Sequence, residues 1–300
     1  MKNYKLIWLG IFCCLQPLIL FAQRGEMIRK AFLDPKSDQV LVVAHRGNWR
    51  SAPENSVAAI DSAIQMGVDI VEIDIHKTKD GQLILMHDDR VDRTTNGKGL
   101  IKDYTLAEIK KLKLKDKDGN LTEHTVPTLE EALLAGKGQI MFNLDKAYSV
   151  FDEVYAVLEK TGTASLVIMK GSQSVETVKS EFGDYLDKVI YIPVIGLDGK
   201  DGEKKVRDYM TQLHPAAFEL VYSDSSSSLP RKVKSMILGK SRIWYNTLWA
   251  SLAGGHEDDQ ALKDPDGNYG YLIEELGARI LQTDRPGFML DYLRKKGLHD

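Results

Sequence analysis

Short apolar runs rich in β-branched residues alternate with helical stretches from Val40 to Lys295, and this alternation limits what the chain can become more than any other feature. Such runs suit strands buried on both faces, and regular strand-helix alternation builds a parallel sheet. The strand ends are marked by His45, by Glu72 with Asp74, and by Asp145, Lys170, Val194, Glu219, Trp244 and Thr283, which makes eight strands. That count predicts an α/β fold, a TIM (β/α)8 barrel with a short insertion after the second strand. Barrels of this kind place their chemistry at the C-terminal ends of the strands.

The polar residues are densest between Val40 and Gly99. Val40 to Ala44 reads as a strand that stops at His45-Arg46-Gly47, and Asn55 is placed to cap a helix from Ser56 to Met66. In the strand Asp69 to Ile75, alternation sets Glu72 and Asp74 on one face and Ile73 and Ile75 on the other. Two carboxylates two residues apart on one strand face repel each other, an arrangement that calls for a cation between them. A third apolar run, Gln82 to Met86, delivers His87.

Glu72 and Asp74, joined by Asp145 from a later strand, can supply three hard oxygen ligands to one divalent cation, Mg²⁺ or Ca²⁺. The competing reading is that these are inward carboxylates satisfied by barrel lysines. Zinc is disfavoured, because no cysteine is available beside them and the histidines sit elsewhere. His45 and His87 are acid and base candidates, since imidazole titrates near neutral pH. Arg46 can fork onto phosphate oxygens or pair with Glu54. Glu54 and Asn55 read as loop-holding residues, Asp88 and Asp89 as supports for the His87 loop, and Asp284 as a buried acceptor that fixes the last loop. His76, His124, His214, His256 and His299 carry no functional signal.

The blocks HRGNWRSAPENS (45–56), VEIDIHKTKDGQLILMHDD (71–89) and DRTTNGKG (92–99), with TDRPG (283–287) at the far end, resemble the signature blocks of the glycerophosphodiester phosphodiesterase family. The resemblance is dense in the N-terminal third and thinner between the two ends. It implies a TIM barrel and a metal-dependent hydrolysis of glycerophosphodiesters to glycerol 3-phosphate and an alcohol. In that scheme the glycerol 2-hydroxyl attacks phosphorus and water then opens the cyclic phosphate. His45 and His87 match the acid and base, Glu72, Asp74 and Asp145 the metal ligands, and Arg46 a phosphate contact. The family's third ligand is usually a glutamate followed two residues later by lysine, whereas this chain has Asp145 and Ala147. Lys170 or Lys146 is the expected substitute for that charge. Trp244 ends the seventh strand, where the resemblance implies an aromatic wall for the glycerol moiety, and core packing is an equally good reading. Two other readings stay open: a phospholipase-type barrel acting on phosphoinositides or sphingomyelin, and a binding protein that keeps the pocket without turnover.

The chain starts with Lys2 and Lys5, an apolar run from Leu6 to Phe21, and Ala22 before a polar segment. This pattern predicts a signal peptide at residues 1–22, cleaved after Ala22, ahead of one barrel domain at 23–300. The run is shorter than the ~20 residues of a bilayer span, so no stable membrane anchor is expected after cleavage. Cys13 and Cys14 lie inside it and are the only two cysteines of the chain, so the mature protein would carry no thiol into an oxidising, secreted or periplasmic compartment. Removing Lys2 and Lys5 leaves 38 basic against 43 acidic residues, a net charge of −5. With basic pairs such as Lys110-Lys111 interleaved with acids, neither nucleic acid nor a membrane surface is an expected partner. Leu106 to Leu114 reads as a basic helix and Lys115 to Thr125 as a charged loop, and the resemblance implies that together they form an excursion over the barrel mouth.

Overall fold

A computed structural model describes residues 24–300, so the expected signal peptide lies outside the described residues. Eight strands form the barrel: β1 (Leu41–Ala44), β2 (Ile70–Lys77), β6 (Met141–Asp145), β7 (Val167–Gly171), β8 (Ile190–Gly196), β9 (Ala217–Val221), β10 (Arg242–Asn246) and β11 (Ala278–Thr283). All neighbours pair in parallel. The ring closes where β1 lies between β2, with Ala44 opposite Val71, and β11, with Ala44 opposite Thr283. The fold expected from strand-helix alternation is thus the fold observed.

Residues facing the barrel axis form a dry layer of Leu41, Val43, Ile70, Ile168, Ile192, Trp244 and their neighbours. A helix that includes residues 24–33 (α1) plugs the floor with Ile28 and Phe32. The guanidinium of the buried Arg242 ties this floor together, donating to the carbonyls of Ala31, Asp34, Gln39 and Arg279. A second, larger core fills the space between the strands and the surrounding helices, α2 (Val57–Met66) among them. Apolar residues below and polar residues above divide the barrel axis, which leaves chemistry to the C-terminal end.

Two local expectations are corrected. Ser56, not Asn55, caps α2, its hydroxyl oxygen accepting the Ala59 N–H at 3.0 Å. The basic helix after Thr105 is a single turn, α3 (Leu106–Ile109), and the supposed charged loop is a hairpin of β4 (Lys113–Lys115) and β5 (Leu121–Thr125). Its turn is set by Asp116, whose carboxylate accepts the N–H groups of Asp118 and Asn120. Ile109 and Leu114 sink into a small core under the excursion with Ile84, Met86, Val91 and Val126, and this burial outweighs the helical propensity of the lysines. A short antiparallel arm, β3 (Leu83–Leu85), folds back on β2 and ends next to His87.

Candidate active site

Barrel closure collects the polar strand ends. Glu72 and Asp74 on β2 and Asp145 on β6 bring carboxylate oxygens within 4.8 Å of one another, because Asp74 and Asp145 are register partners. Glu72 accepts the Arg46 N–H at 2.9 Å. Asn55 holds Asp74 by both ends of its amide, with Nδ2 donating to Oδ2 at 2.9 Å and Oδ1 accepting the Asp74 N–H at 3.0 Å. Burial, reinforced by the neighbouring Asp74, pushes the Glu72 carboxyl up to about 8. Burial also opposes ionisation of Asp145, yet the Lys170 ammonium and the Lys146 N–H outweigh it and hold that carboxyl below its ordinary value.

The donor set fits a hard divalent cation. It offers three carboxylates, with no thiol or imidazole among the oxygens. Polar atoms that a hydrated ion or a phosphate would satisfy lie near it. Arg46 Nε is buried without a partner 3.7 Å from Asp74, and Asn143, the register partner of Glu72, has neither amide atom paired.

Each candidate histidine rests on its own carboxylate. His45 Nδ1 lies 2.8 Å from Asp284 Oδ1, and its Nε2 faces Glu72 at 4.0 Å. Burial alone would depress the His45 imidazole, but the Asp284 hydrogen bond and the charges of Glu72 and Asp284 prevail and raise it. His87 Nδ1 lies 2.7 Å from Asp88 Oδ1, and Arg93 grips the other side of Asp88 at 2.7 Å. The Arg93 hydrogen bonds are the main cause that keeps the Asp88 carboxyl far below the usual range. Arg93 also bonds Glu54, and Glu54 bonds Arg46 at 3.0 Å, so an ionic chain runs from the His87 loop back to the His45 loop. Both readings given for Arg46 are compatible with its position between Glu54 and Asp74.

Backbone geometry explains why these motifs need their residue types. Gly47 has φ +77°, and a Cβ there would stand 2.8 Å from Ala59 Cβ, so the loop after His45 closes against α2 only with glycine. Arg46, Asn55 and Lys146 are three of the four non-glycine residues with positive φ among the described residues, and all three border the carboxylates. Such backbone costs of order 1–3 kcal/mol per residue and persists where surrounding structure fixes it.

Lys170 is buried between Glu219 at 3.3 Å and Asp145 at 3.8 Å. Lys146 reaches Asp74 Oδ1 at 3.0 Å and the His87 carbonyl. The aromatic wall requires a correction. Trp244 is fully buried in the axial layer below the site, where its Nε1 donates to Asn246, and it cannot touch a ligand at the mouth. The tryptophans in the cleft are Trp49, which donates to Asp284 at 2.7 Å, and the exposed Trp249, whose ring is 6.3 Å from that of His45. Together with Arg46, Arg93 and the β4–β5 turn they line a cleft of about 540 Å³ beside His45. Trp49 stands inside the first signature block and was within reach of sequence reasoning. Asp284 as the partner of His45 follows only from ring closure, which sets the end of β11 beside the end of β1. His76 stays outside the cleft, against the His87 carbonyl and the exposed Asp89.

Residues 45–180 match the model of the glycerophosphoryl diester phosphodiesterase family, and residues 191–293 match a domain family of unknown function. A glycerophosphodiester phosphodiesterase of Caldanaerobacter subterraneus is 45% identical over 109 residues, which cover 36% of this chain and 45% of that protein. The human glycerophosphodiester phosphodiesterase 1 is 42% identical over 102 residues, 32% of this chain and 30% of the relative. The matched stretches therefore span less than half of these curated relatives. Over the whole fold, a glycerophosphoryl diester phosphodiesterase structure from Parabacteroides distasonis superposes with a TM-score of 0.74 at 23% identity, covering 91% of this chain and 92% of that one. An Oleispira antarctica phosphodiesterase, solved with its product sn-glycerol 3-phosphate, gives 0.63 at 21% identity over 85% and 97% of the two chains. Residues 45–180 thus resemble the glycerophosphoryl diester phosphodiesterase family, and the solved structures share the barrel fold of the chain.

Proposed function

We propose that the chain hydrolyses small glycerophosphodiesters to sn-glycerol 3-phosphate and an alcohol, using one divalent cation, Mg²⁺ or Ca²⁺, and a pair of histidines. The observation that carries this reading is a pair of carboxylate-backed imidazoles beside the acids: His45, on Asp284, has its Nε2 4.0 Å from Glu72, and His87, on Asp88, is linked through its carbonyl and Lys146 to Asp74. Glu72, Asp74 and Asp145 would hold the cation, which would supply neutralisation of the phosphate charge. Arg46 and Lys170 add positive charge on either side. One imidazole accepts the proton of the attacking glycerol 2-hydroxyl while the other donates to the departing alkoxide as its P–O bond breaks. Water then opens the cyclic phosphate with the same two groups in reversed roles. Asp284 and Asp88 hold the two rings in the required tautomers.

Hydrolysis of glycerophosphocholine with added Mg²⁺ or Ca²⁺ tests the reading. Turnover is expected to vanish with chelator and to fall by about 10²–10⁴-fold in His45→Ala and His87→Ala. Undiminished turnover in either variant, or under chelation, overturns it. We propose export from the signal-peptide pattern at residues 1–22, to be checked by fractionation and by sequencing of the mature N-terminus. No helix of the described residues is long and apolar enough to cross a membrane.

A further inference from the structure

Three cationic side chains face the three carboxylates. Arg46 Nε lies 3.7 Å from Asp74, Lys170 Nζ 3.8 Å from Asp145, and Lys146 Nζ 3.0 Å from Asp74. Lys170 and Arg46 also have carboxylate partners outside the three acids, whereas a divalent cation among the acids competes directly with Lys146 for Asp74. The three cationic side chains are not equally free to withdraw. Lys170 is 9% exposed and anchored on Glu219, and Arg46 is 14% exposed and anchored on Glu54. Lys146 is 33% exposed, and its second contact is the neutral carbonyl of His87. Its backbone stands at φ +58° immediately after Asp145, a conformation that costs energy. Ala147, next in the chain, is buried in the layer between strands and helices and offers no charge.

We propose that Lys146 is an exchangeable counter-ion of the cation site: its ammonium holds Asp74 until a divalent cation takes that carboxylate, and then swings to the phosphate of the bound diester. This rests on reading Glu72, Asp74 and Asp145 as the cation site. It makes Lys146 a direct contact of both ligand sites that couples them. Cation binding releases an ammonium for the phosphate, and phosphate binding removes a competitor of the cation, so each ligand tightens the other reciprocally.

Calorimetric titration of Mg²⁺ and Ca²⁺ into the full chain, first without and then with saturating inorganic phosphate, tests this on the wild type, Lys146→Met and Lys146→Gln. Without phosphate both variants are expected to bind cation about tenfold more tightly than the wild type, the equivalent of about 1.4 kcal/mol. Phosphate is expected to tighten cation binding roughly five- to tenfold in the wild type and far less in the variants. Thermal unfolding without cation checks that each variant is folded. Equal or weaker cation binding in both folded variants overturns the role of Lys146 while leaving the cation site standing. Absence of cation binding in all three proteins overturns the site and the inference together.

Discussion

Asn55 grips Asp74 with both ends of its amide, one bond to the side chain at 2.9 Å and one to the backbone N–H at 3.0 Å. A residue in the loop after β1 thereby fixes the rotamer of a carboxylate on β2, and it does so from a left-handed backbone with φ +54°. Asn55→Gly keeps that backbone accessible and deletes both bonds. Cation affinity, measured by calorimetry, is expected to fall about 10–100-fold, the range for lost outer-shell support of a metal ligand.

The Asp284 carboxylate accepts from His45 and from Trp49 and stands at the end of β11. Asp284→Asn keeps the shape and removes the charge that fixes the imidazole. Glycerophosphodiester turnover is expected to drop about 10²-fold or more in kcat with little change in KM, because the ring loses its orientation and the binding surface does not.

Trp244 packs in the axial core, and Trp249 stands exposed near the His45 ring. Trp244→Ala opens the axial core and is expected to cost about 3–5 kcal/mol of stability, read by denaturant unfolding. Trp249→Ala leaves unfolding within about 0.5 kcal/mol of the wild type, as for a surface change, and shows instead as a raised KM.

A bound cation stabilises only the folded chain. At a hundredfold excess over Kd it adds about 2.7 kcal/mol, and with about 2–4 °C per kcal/mol the Tm is expected to rise by roughly 5–10 °C. The rise is expected to disappear with chelator and in Glu72→Gln, which removes the ligand next to Asn143 in the register.

At the barrel floor His299 Nε2 lies 2.9 Å from Asp69 Oδ2, the same oxygen that accepts the Val42 N–H. Burial works to lower the His299 imidazole, yet the Asp69 hydrogen bond and charge win and raise it. A histidine raised in the folded state stabilises fully below its unfolded value near 6.5 and loses that contribution as pH climbs through the folded value. The Tm difference between wild type and His299→Ala is therefore expected to be largest in mildly acidic buffer and to shrink as pH rises from about 6.5 upward.

Local pattern was enough for the barrel and for much of the site. Strand alternation places Glu72 and Asp74 on one face, and His45 and His87 follow the ends of the apolar runs that form β1 and β3. The hairpin β4–β5 was not legible in this way. Its lysines favour a helix, and only the small core built by Ile109 and Leu114 with distant residues decides for strands.

By itself, the sequence determined which ionisable groups come to the mouth of the barrel, because each is carried there by the strand that precedes it. Only the tertiary structure decided how those groups pair. Asp284 meets His45 across 239 positions because the eighth barrel strand closes on the first, and Trp249 rather than Trp244 faces the cleft because Trp244 points down the axis. Lys146, in a left-handed backbone just past β6, reaches Asp74 on β2. Periodicity records on which face of an element a side chain lies, whereas ring closure and a reversed backbone angle depend on contacts between segments far apart in the chain.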